Sequence, residues 1–95
     1  MITRVVKMTF KPENVVVFKE IFEGSRKMIS EFEGCLKLDL LSDIHNDHTF
    51  FTISVWNTEM DLNNYRESYL FKNTWSKVKP LFSERAEAWS LANPQ

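Results

Sequence analysis

An arginine and three aromatic residues are the side chains of this sequence whose types are best suited to bind a small molecule. Arg4 lies in an otherwise apolar, strand-like segment, whereas Tyr65, Tyr69 and Trp75 recur along helical segments. A guanidinium and phenol hydroxyls around an apolar cavity can bind a planar, oxygenated ligand. The alternative is that these aromatic residues simply fill the core, as large side chains commonly do.

Arg4 has two interpretations of its own. A buried guanidinium needs a partner, and an anionic oxygen of a substrate would serve. An arginine near the end of a sheet can instead extend into water. Val6 and Met8 follow Arg4 at intervals of two, so a strand places them on the side of Arg4. We therefore expect both to line the same space.

Two histidines, His45 and His48, flank a predicted turn near Asp43 and Asp47. A His-x-x-His pair with carboxylates can bind a metal ion. Side chains on a turn, however, lack rigid neighbours that would orient the rings, so we expect polar turn residues and no metal. The sequence has two glycines and neither a phosphate-binding loop nor a dinucleotide fingerprint, so we expect no cofactor.

Composition and charge restrict the class of protein. A length of 95 residues suits one domain spanning residues 1–95. The net charge of −1 and the scattered basic residues argue against binding to nucleic acid or to a membrane surface. The N-terminal segment carries Arg4 and Lys7 and has no long apolar run, so it is neither a signal peptide nor a membrane span. Cys35 is the only cysteine, which suits a reducing compartment, so we expect a cytoplasmic protein.

Hydrophobic periodicity predicts the elements that must position these side chains. Alternation predicts strands at residues 2–10, 36–41, 49–56 and 85–91. Spacings of three and four predict one helix over residues 15–32. A second helix should begin at a capping box formed by Thr58 and Asp61 and be followed by a helical segment at residues 73–82. The order βαββαβ predicts a ferredoxin-like α+β fold, with a four-stranded antiparallel sheet and its helices on one face.

The register of the central hairpin also follows from the pattern. A turn at residues 46–47 would pair Leu40 with Ile53 and Leu38 with Val55. This register collects apolar side chains on the face that the helices cover. They are Leu36, Leu38, Leu40, Phe51, Ile53 and Val55.

The opposite sheet face would then carry Leu41, Phe50 and Trp56 in water. An exposed apolar patch of this kind usually binds a partner. Two such sheets facing each other would bury the patch. We therefore expect a homodimer that forms through Leu41, Phe50 and Trp56.

Several segments resemble the antibiotic-biosynthesis-monooxygenase family of small dimeric α+β barrels. They are the Lys11-Pro12 end of the first strand, EGCLKLDLL at residues 33–41, SVWNTEMDL at residues 54–62 and YRESYLFK at residues 65–72. The resemblance covers nearly the whole chain and implies the fold and the dimer. It also implies activities, since relatives include cofactor-independent monooxygenases that oxidise quinol- or anthrone-like aromatics, and haem-degrading enzymes.

The resemblance also bears on the residues that would perform the chemistry. Cofactor-free oxygenation needs a substrate that becomes a stabilised carbanion, a base, and donors for the developing oxyanion. Many family members have histidines in the second helix, where this chain has Tyr65 and Leu70. The haem-degrading branch uses Asn, Trp and His at positions that match Val6, Tyr65 and Trp75. No imidazole is then left to ligate iron, so we expect no haem degradation.

Two hypotheses result. In the first, the protein is a monooxygenase-like enzyme that acts on a small aromatic substrate. Arg4 and Tyr65 would then be catalytic, and the substrate would bind to Val6, Met8, Tyr69 and Trp75. In the second, the protein is a non-catalytic homodimer that binds a small hydrophobic molecule or only keeps the fold. The aromatic cavity favours the first hypothesis, and the missing histidines favour the second.

Overall fold

The computed structural model describes residues 1–95. Four strands form one antiparallel sheet in the order β2-β3-β1-β4, and three helices cover one of its faces. This confirms the predicted ferredoxin-like α+β fold. The elements are β1 (Ile2–Thr9), α1 (Val15–Ser30), β2 (Cys35–Asp43), β3 (Asn46–Trp56), α2 (Glu59–Arg66), α3 (Tyr69–Val78) and β4 (Glu87–Leu91), with short 3-10 turns at Pro12–Asn14 and Lys79–Leu81.

The main core lies between α1 and the sheet. Phe18 and Phe22 are four positions apart on α1, so both project from the same side of the helix. The ring of Phe18 stacks on Phe10 with centroids 4.2 Å apart and contacts Phe50 at 5.4 Å. Met8 belongs to this buried cluster and extends from β1.

No helix in the structure has the length and apolar character that crossing a membrane requires.

The start of α2 confirms Thr58 as the predicted N-cap and Asp61 as its partner. The Thr58 hydroxyl accepts a hydrogen bond from the Asp61 backbone N–H at 3.0 Å and donates to the Asp61 carboxylate at 2.9 Å. Gly34 adopts a left-handed φ of 87°, and a Cβ there would overlap the Asp61 side chain. Only glycine therefore lets the loop before β2 approach α2 this closely.

The second helical region is divided after Arg66, earlier than the sequence pattern predicted when it placed the second helical segment at residues 73–82. The hydroxyl of Ser68 accepts a hydrogen bond from the Phe71 N–H at 3.2 Å and so begins α3 as a separate helix. Tyr69 is the first residue of α3 and is 82% exposed. Because α2 ends at Arg66, Tyr69 does not continue the helical face that carries Tyr65.

The predicted register of the β2–β3 hairpin is wrong by one residue. Leu40 pairs with Thr52 and Leu38 with Ser54. The turn lies at residues 44–45 rather than 46–47, and β3 contains an irregularity that leaves residues 47–49 without partners on β2. Since side chains alternate along a strand, a shift of one residue puts Phe51, Ile53 and Val55 of β3 on the uncovered face. Leu38 and Leu40 of β2 stay on the helix-covered face, as predicted.

This shift also overturns two of the three residues predicted for a dimer interface. Phe50 pairs with Met8, and Trp56 pairs with Ile2, on the side that the helices cover. Phe50 is 3% exposed and Trp56 is completely buried, so neither can form an outer surface. Leu41 does lie on the uncovered side and is 53% exposed.

The uncovered sheet face is nevertheless mainly apolar. Its central strand, β3, contributes Phe51, Ile53 and Val55, and β1 contributes Val5 between Thr3 and Lys7. The edge strands add Leu41, Trp89 and Leu91. We call the seven residues Val5, Leu41, Phe51, Ile53, Val55, Trp89 and Leu91 the open face.

Candidate functional site

A cavity of about 320 Å³ lies between the sheet and the helices. Fourteen of its 19 lining residues are hydrophobic, and its volume is in the range typical of small-molecule sites. Of the predicted site residues, five line this cavity: Arg4, Val6, Met8, Tyr65 and Trp75. Tyr69 does not, because the break between α2 and α3 leaves it in solvent. Its expected position in the cavity is therefore wrong.

The sheet forms a floor that is polar at one end. Arg4 on β1 pairs with Ser54 on β3 and with Ser90 on β4, so the three lie in one row across the strands. An Arg4 guanidinium N–H donates a hydrogen bond to the Ser90 hydroxyl at 2.9 Å. Val6, the next residue on the same side of β1, lies in a row with Thr52. Polarity thus decreases from Arg4 towards Met8.

Ser54 is a polar residue of the cavity that the sequence pattern missed. Its hydroxyl accepts a hydrogen bond from the Trp56 indole N–H at 3.0 Å, and both residues are buried. The Ser54 proton is not engaged by any acceptor of the protein, so it is available to a ligand. The mistaken register assigned both residues to the uncovered face; the Arg4–Ser54 pairing across β1 and β3 is the signal that would have found them.

Tyr65 is held on α2 by aromatic neighbours. Its ring stacks on Trp56 with centroids 4.9 Å apart and meets the edges of Phe32 at 5.4 Å and Phe71 at 5.3 Å. Burial raises the pKa of the Tyr65 hydroxyl well above its ordinary value, and negative charge on the nearby Cys35 thiolate raises it further. Tyr65 is therefore a neutral hydrogen-bond donor at physiological pH and is not a base.

Arg4 and Arg66 are the two charged residues of the cavity, and no Asp or Glu lines it. Neither guanidinium forms a salt bridge. Burial lowers the pKa of Arg4, and the positive charge of Arg66 lowers it further. An arginine still remains protonated in proteins, so the cavity carries two positive charges. The sequence pattern did not select Arg66, because one residue after Tyr65 a helix has turned away from its apolar stripe.

The backbone N–H groups of His45 and His48 form hydrogen bonds within the hairpin turn. The backbone N–H of His45 donates to the Asp43 carboxylate at 2.8 Å, and that of His48 donates to the Asn46 side-chain oxygen at 3.2 Å. Neither histidine lines the cavity. The structure contains no group of three His, Cys, Asp or Glu side chains that could hold a metal ion.

The residues that line the cavity include cations and hydrogen-bond donors but no general base. Arg4, Ser54 and Tyr65 can each donate to a ligand oxygen. No His, Asp, Glu, Lys or Cys is among the lining residues. The site is thus equipped to stabilise negative charge on oxygen, and it leaves proton removal to another agent.

Solved structures with the same fold are numerous. A crystal structure described as an antibiotic biosynthesis monooxygenase has a TM-score of 0.92 at 15% identity, with 100% of both chains covered. A conserved protein from Methanosarcina mazei Go1 has a TM-score of 0.92 at 21% identity, covering 99% of this chain and 94% of that one. Rv0793 from Mycobacterium tuberculosis has a TM-score of 0.90 at 14% identity, covering 99% and 95%. At these identities the likeness shows a shared fold.

The sequence itself gives the family. Among curated proteins, none matches the chain significantly. The family model described as antibiotic biosynthesis monooxygenase matches residues 1–76, which include β1 through most of α3 and hence nearly the whole cavity. The chain therefore belongs to the antibiotic biosynthesis monooxygenase family.

Proposed function

We propose that the protein is a cofactor-independent monooxygenase-like enzyme that oxidises a small quinol- or anthrone-like aromatic substrate. The observation that carries this proposal is an apolar cavity whose lining includes Arg4, Ser54 and Tyr65, three side chains that can donate hydrogen bonds. Flat aromatic walls suit a planar substrate, since Phe71 and Trp75 stack with an interplanar angle of 11°. Family membership supports the same class of reaction.

The reaction begins with loss of a proton from the substrate, which leaves a carbanion whose charge is shared with the ring oxygen. Arg4 and Tyr65 would stabilise that oxygen. The carbanion carbon then reacts with O₂ to give a peroxide anion, which takes a proton from water and becomes a hydroperoxide, and loss of water leaves a new carbonyl. For an anthrone, one O₂ is consumed, one oxygen atom enters the product, and the other leaves as water.

The proton has no protein base to receive it. Tyr65 holds its own proton because burial raises its pKa, and the two arginines are already protonated. Positive charges nearby favour the ionised form of a substrate and so lower its pKa. The substrate must therefore be acidic enough to release its proton to water once it is bound.

The second candidate function is non-catalytic binding of a small hydrophobic molecule in the same cavity. The absence of a general base among the lining residues favours it. Oxygen uptake distinguishes the two candidates, because a binding protein would consume no O₂.

We also propose that two copies of the chain form a homodimer through the open face. The support is the uncovered apolar surface of a sheet whose other side is already packed against helices. The open face replaces the interface expected from Phe50 and Trp56. That residues 1–95 act as one domain, and that the protein is cytoplasmic, stay predictions.

Oxygen uptake by purified, metal-free protein on addition of quinols and anthrones tests the enzymatic proposal. We expect uptake by the wild type and a large loss in Tyr65→Phe and in Arg4→Gln. Tyr69→Phe is the matched control, because it removes the same hydroxyl from an exposed position outside the cavity. If Tyr65→Phe and Tyr69→Phe both retain full activity, Tyr65 has no catalytic role. If no member of the panel supports uptake, the binding function is favoured.

A further inference from the structure

The cavity has an unbalanced charge. Its lining contains two guanidiniums, from Arg4 and Arg66, and no carboxylate. Arg4 is bonded only to the neutral hydroxyl of Ser90, and Arg66 makes no side-chain hydrogen bond or salt bridge. Two like charges beside an apolar cavity repel each other. An anion between them would relieve that repulsion, and the protein does not supply one.

The remaining donors are suited to a planar anion. The Arg4 guanidinium has five N–H groups, of which one is used by Ser90, so several can still donate. The Ser54 hydroxyl adds a donor, because its oxygen accepts from Trp56 while its proton has no acceptor in the protein. Planar guanidiniums match the two oxygens of a carboxylate in a bidentate geometry.

The rest of the cavity restricts what the carboxylate can be attached to. Beyond the row of Arg4, the floor continues with Val6 and Met8, and the opposing wall contains Phe71 and Trp75. These surfaces favour a flat apolar body. A ligand that fills both the polar end and the apolar end would therefore be amphipathic.

We infer that the cavity binds an aromatic carboxylate, whose carboxylate lies between Arg4 and Arg66 and whose ring contacts Phe71 and Trp75. The inference rests on the proposed function only in taking this cavity as the substrate site. The inference adds a second negative charge to the substrate. This carboxylate is ionised before the reaction begins, whereas the ring oxygen becomes ionised during it. Arg66 determines specificity through that charge.

Calorimetric titration with two probes of the same shape tests this inference. The probes are 1-naphthoate and the uncharged 1-naphthamide, each added to wild type, Arg66→Gln, Arg4→Gln and Lys77→Gln. Lys77→Gln is the matched control, because it removes a positive charge from an exposed position on α3 that does not line the cavity. Circular dichroism establishes that each variant is folded.

We expect the wild type to bind naphthoate at least about tenfold more tightly than naphthamide, as a charge-assisted hydrogen bond provides. Arg66→Gln should remove most of that preference by weakening naphthoate binding far more than naphthamide binding, whereas Lys77→Gln should keep it. Because Arg66 is exposed, its variant decides the matter even if Arg4→Gln fails to fold. Equal affinity for the two probes, no binding of either, or a preference that survives in Arg66→Gln would each overturn the inference.

Oxygen uptake separates this inference from the proposed function. A dihydroxynaphthoate and the dihydroxynaphthalene without its carboxylate are compared as substrates. Selective naphthoate binding without oxygen uptake from either quinol would support the carboxylate site and count against the oxygenase. Equal uptake from both quinols would support the oxygenase and count against the carboxylate site.

Discussion

The indole N–H of Trp56 donates to the hydroxyl of Ser54 at 3.0 Å, although the two residues are separated by only one position on β3. Both side chains lie on the helix-covered side, where Trp56 is completely buried and supports the ring of Tyr65. The hydrogen bond satisfies a buried donor and leaves the Ser54 proton free for a ligand. One short contact thus connects the core to the polar end of the cavity.

Removing the Ser54 hydroxyl should destabilise the protein. Ser54→Ala leaves the Trp56 N–H buried without an acceptor, which costs about 1–3 kcal/mol of unfolding free energy. Urea denaturation followed by circular dichroism measures the change. Ser90→Ala serves as the control, because Ser90 is exposed, and it should cost less than about 0.5 kcal/mol. Equal stability of the two variants would mean that the Trp56 bond contributes nothing measurable.

The two glycines should respond to alanine with opposite signs. Gly34→Ala should lower the unfolding free energy by at least about 1–2 kcal/mol, because φ is 87° and the new Cβ overlaps Asp61. Gly24 lies within α1 with open space around it, so Gly24→Ala should raise the unfolding free energy by up to about 1 kcal/mol. Chemical denaturation of both variants tests the pair, and a stabilising Gly34→Ala would contradict the role given to Gly34.

The pH dependence of oxygen uptake should follow the substrate rather than the protein. Because no residue of the cavity is a base near neutral pH, the rate should rise as the bound substrate ionises. Substrates of different acidity should therefore give inflections at different pH values. Stopped-flow or electrode measurements across pH provide the test, and one inflection shared by all substrates would indicate a protein base.

Tyr65 should make the protein sensitive to alkali. Its pKa is raised in the folded state, whereas an unfolded tyrosine ionises at about pH 10. The folded state therefore binds the proton more tightly, and its stability is fully present below about pH 10 and is lost as pH rises above it. Tyr65→Phe should abolish this part of the alkaline loss in urea denaturation. A Tyr65→Phe protein that loses as much stability as wild type above pH 10 would refute the assignment.

A charge on the open face should separate the proposed dimer. Ile53→Asp places a carboxylate at the centre of the uncovered sheet, between Val5 and Asp39 of the neighbouring strands, where partner burial would be costly. Sedimentation equilibrium should show a dimer for the wild type and a monomer for the variant. Met60→Asp, at an exposed position on α2, should stay dimeric. A monomeric wild type would disprove the dimer.

The amino-acid sequence by itself determined those features that depend on neighbours along the chain. The alternation of β1, the apolar stripe of α1 and the N-cap formed by Thr58 all act over a few residues, and each was predicted correctly. The order of these elements then predicted the fold, since connections are short and right-handed. It also predicted that Arg4 and Tyr65 border one space.

Only the tertiary structure decided which side of β3 faces the helices. Both alternating sets of this central strand are apolar, with Phe50 and Trp56 on one side and Phe51 and Ile53 on the other, so periodicity cannot distinguish them. The choice depends on pairing with β1 and on an irregularity in the hairpin, which are not local properties. For the same reason Ser54 could be assigned to the cavity only after the strands were paired. Tyr69 lies outside the cavity because the Ser68 hydroxyl caps a new helix, α3, instead of letting α2 continue through Tyr69.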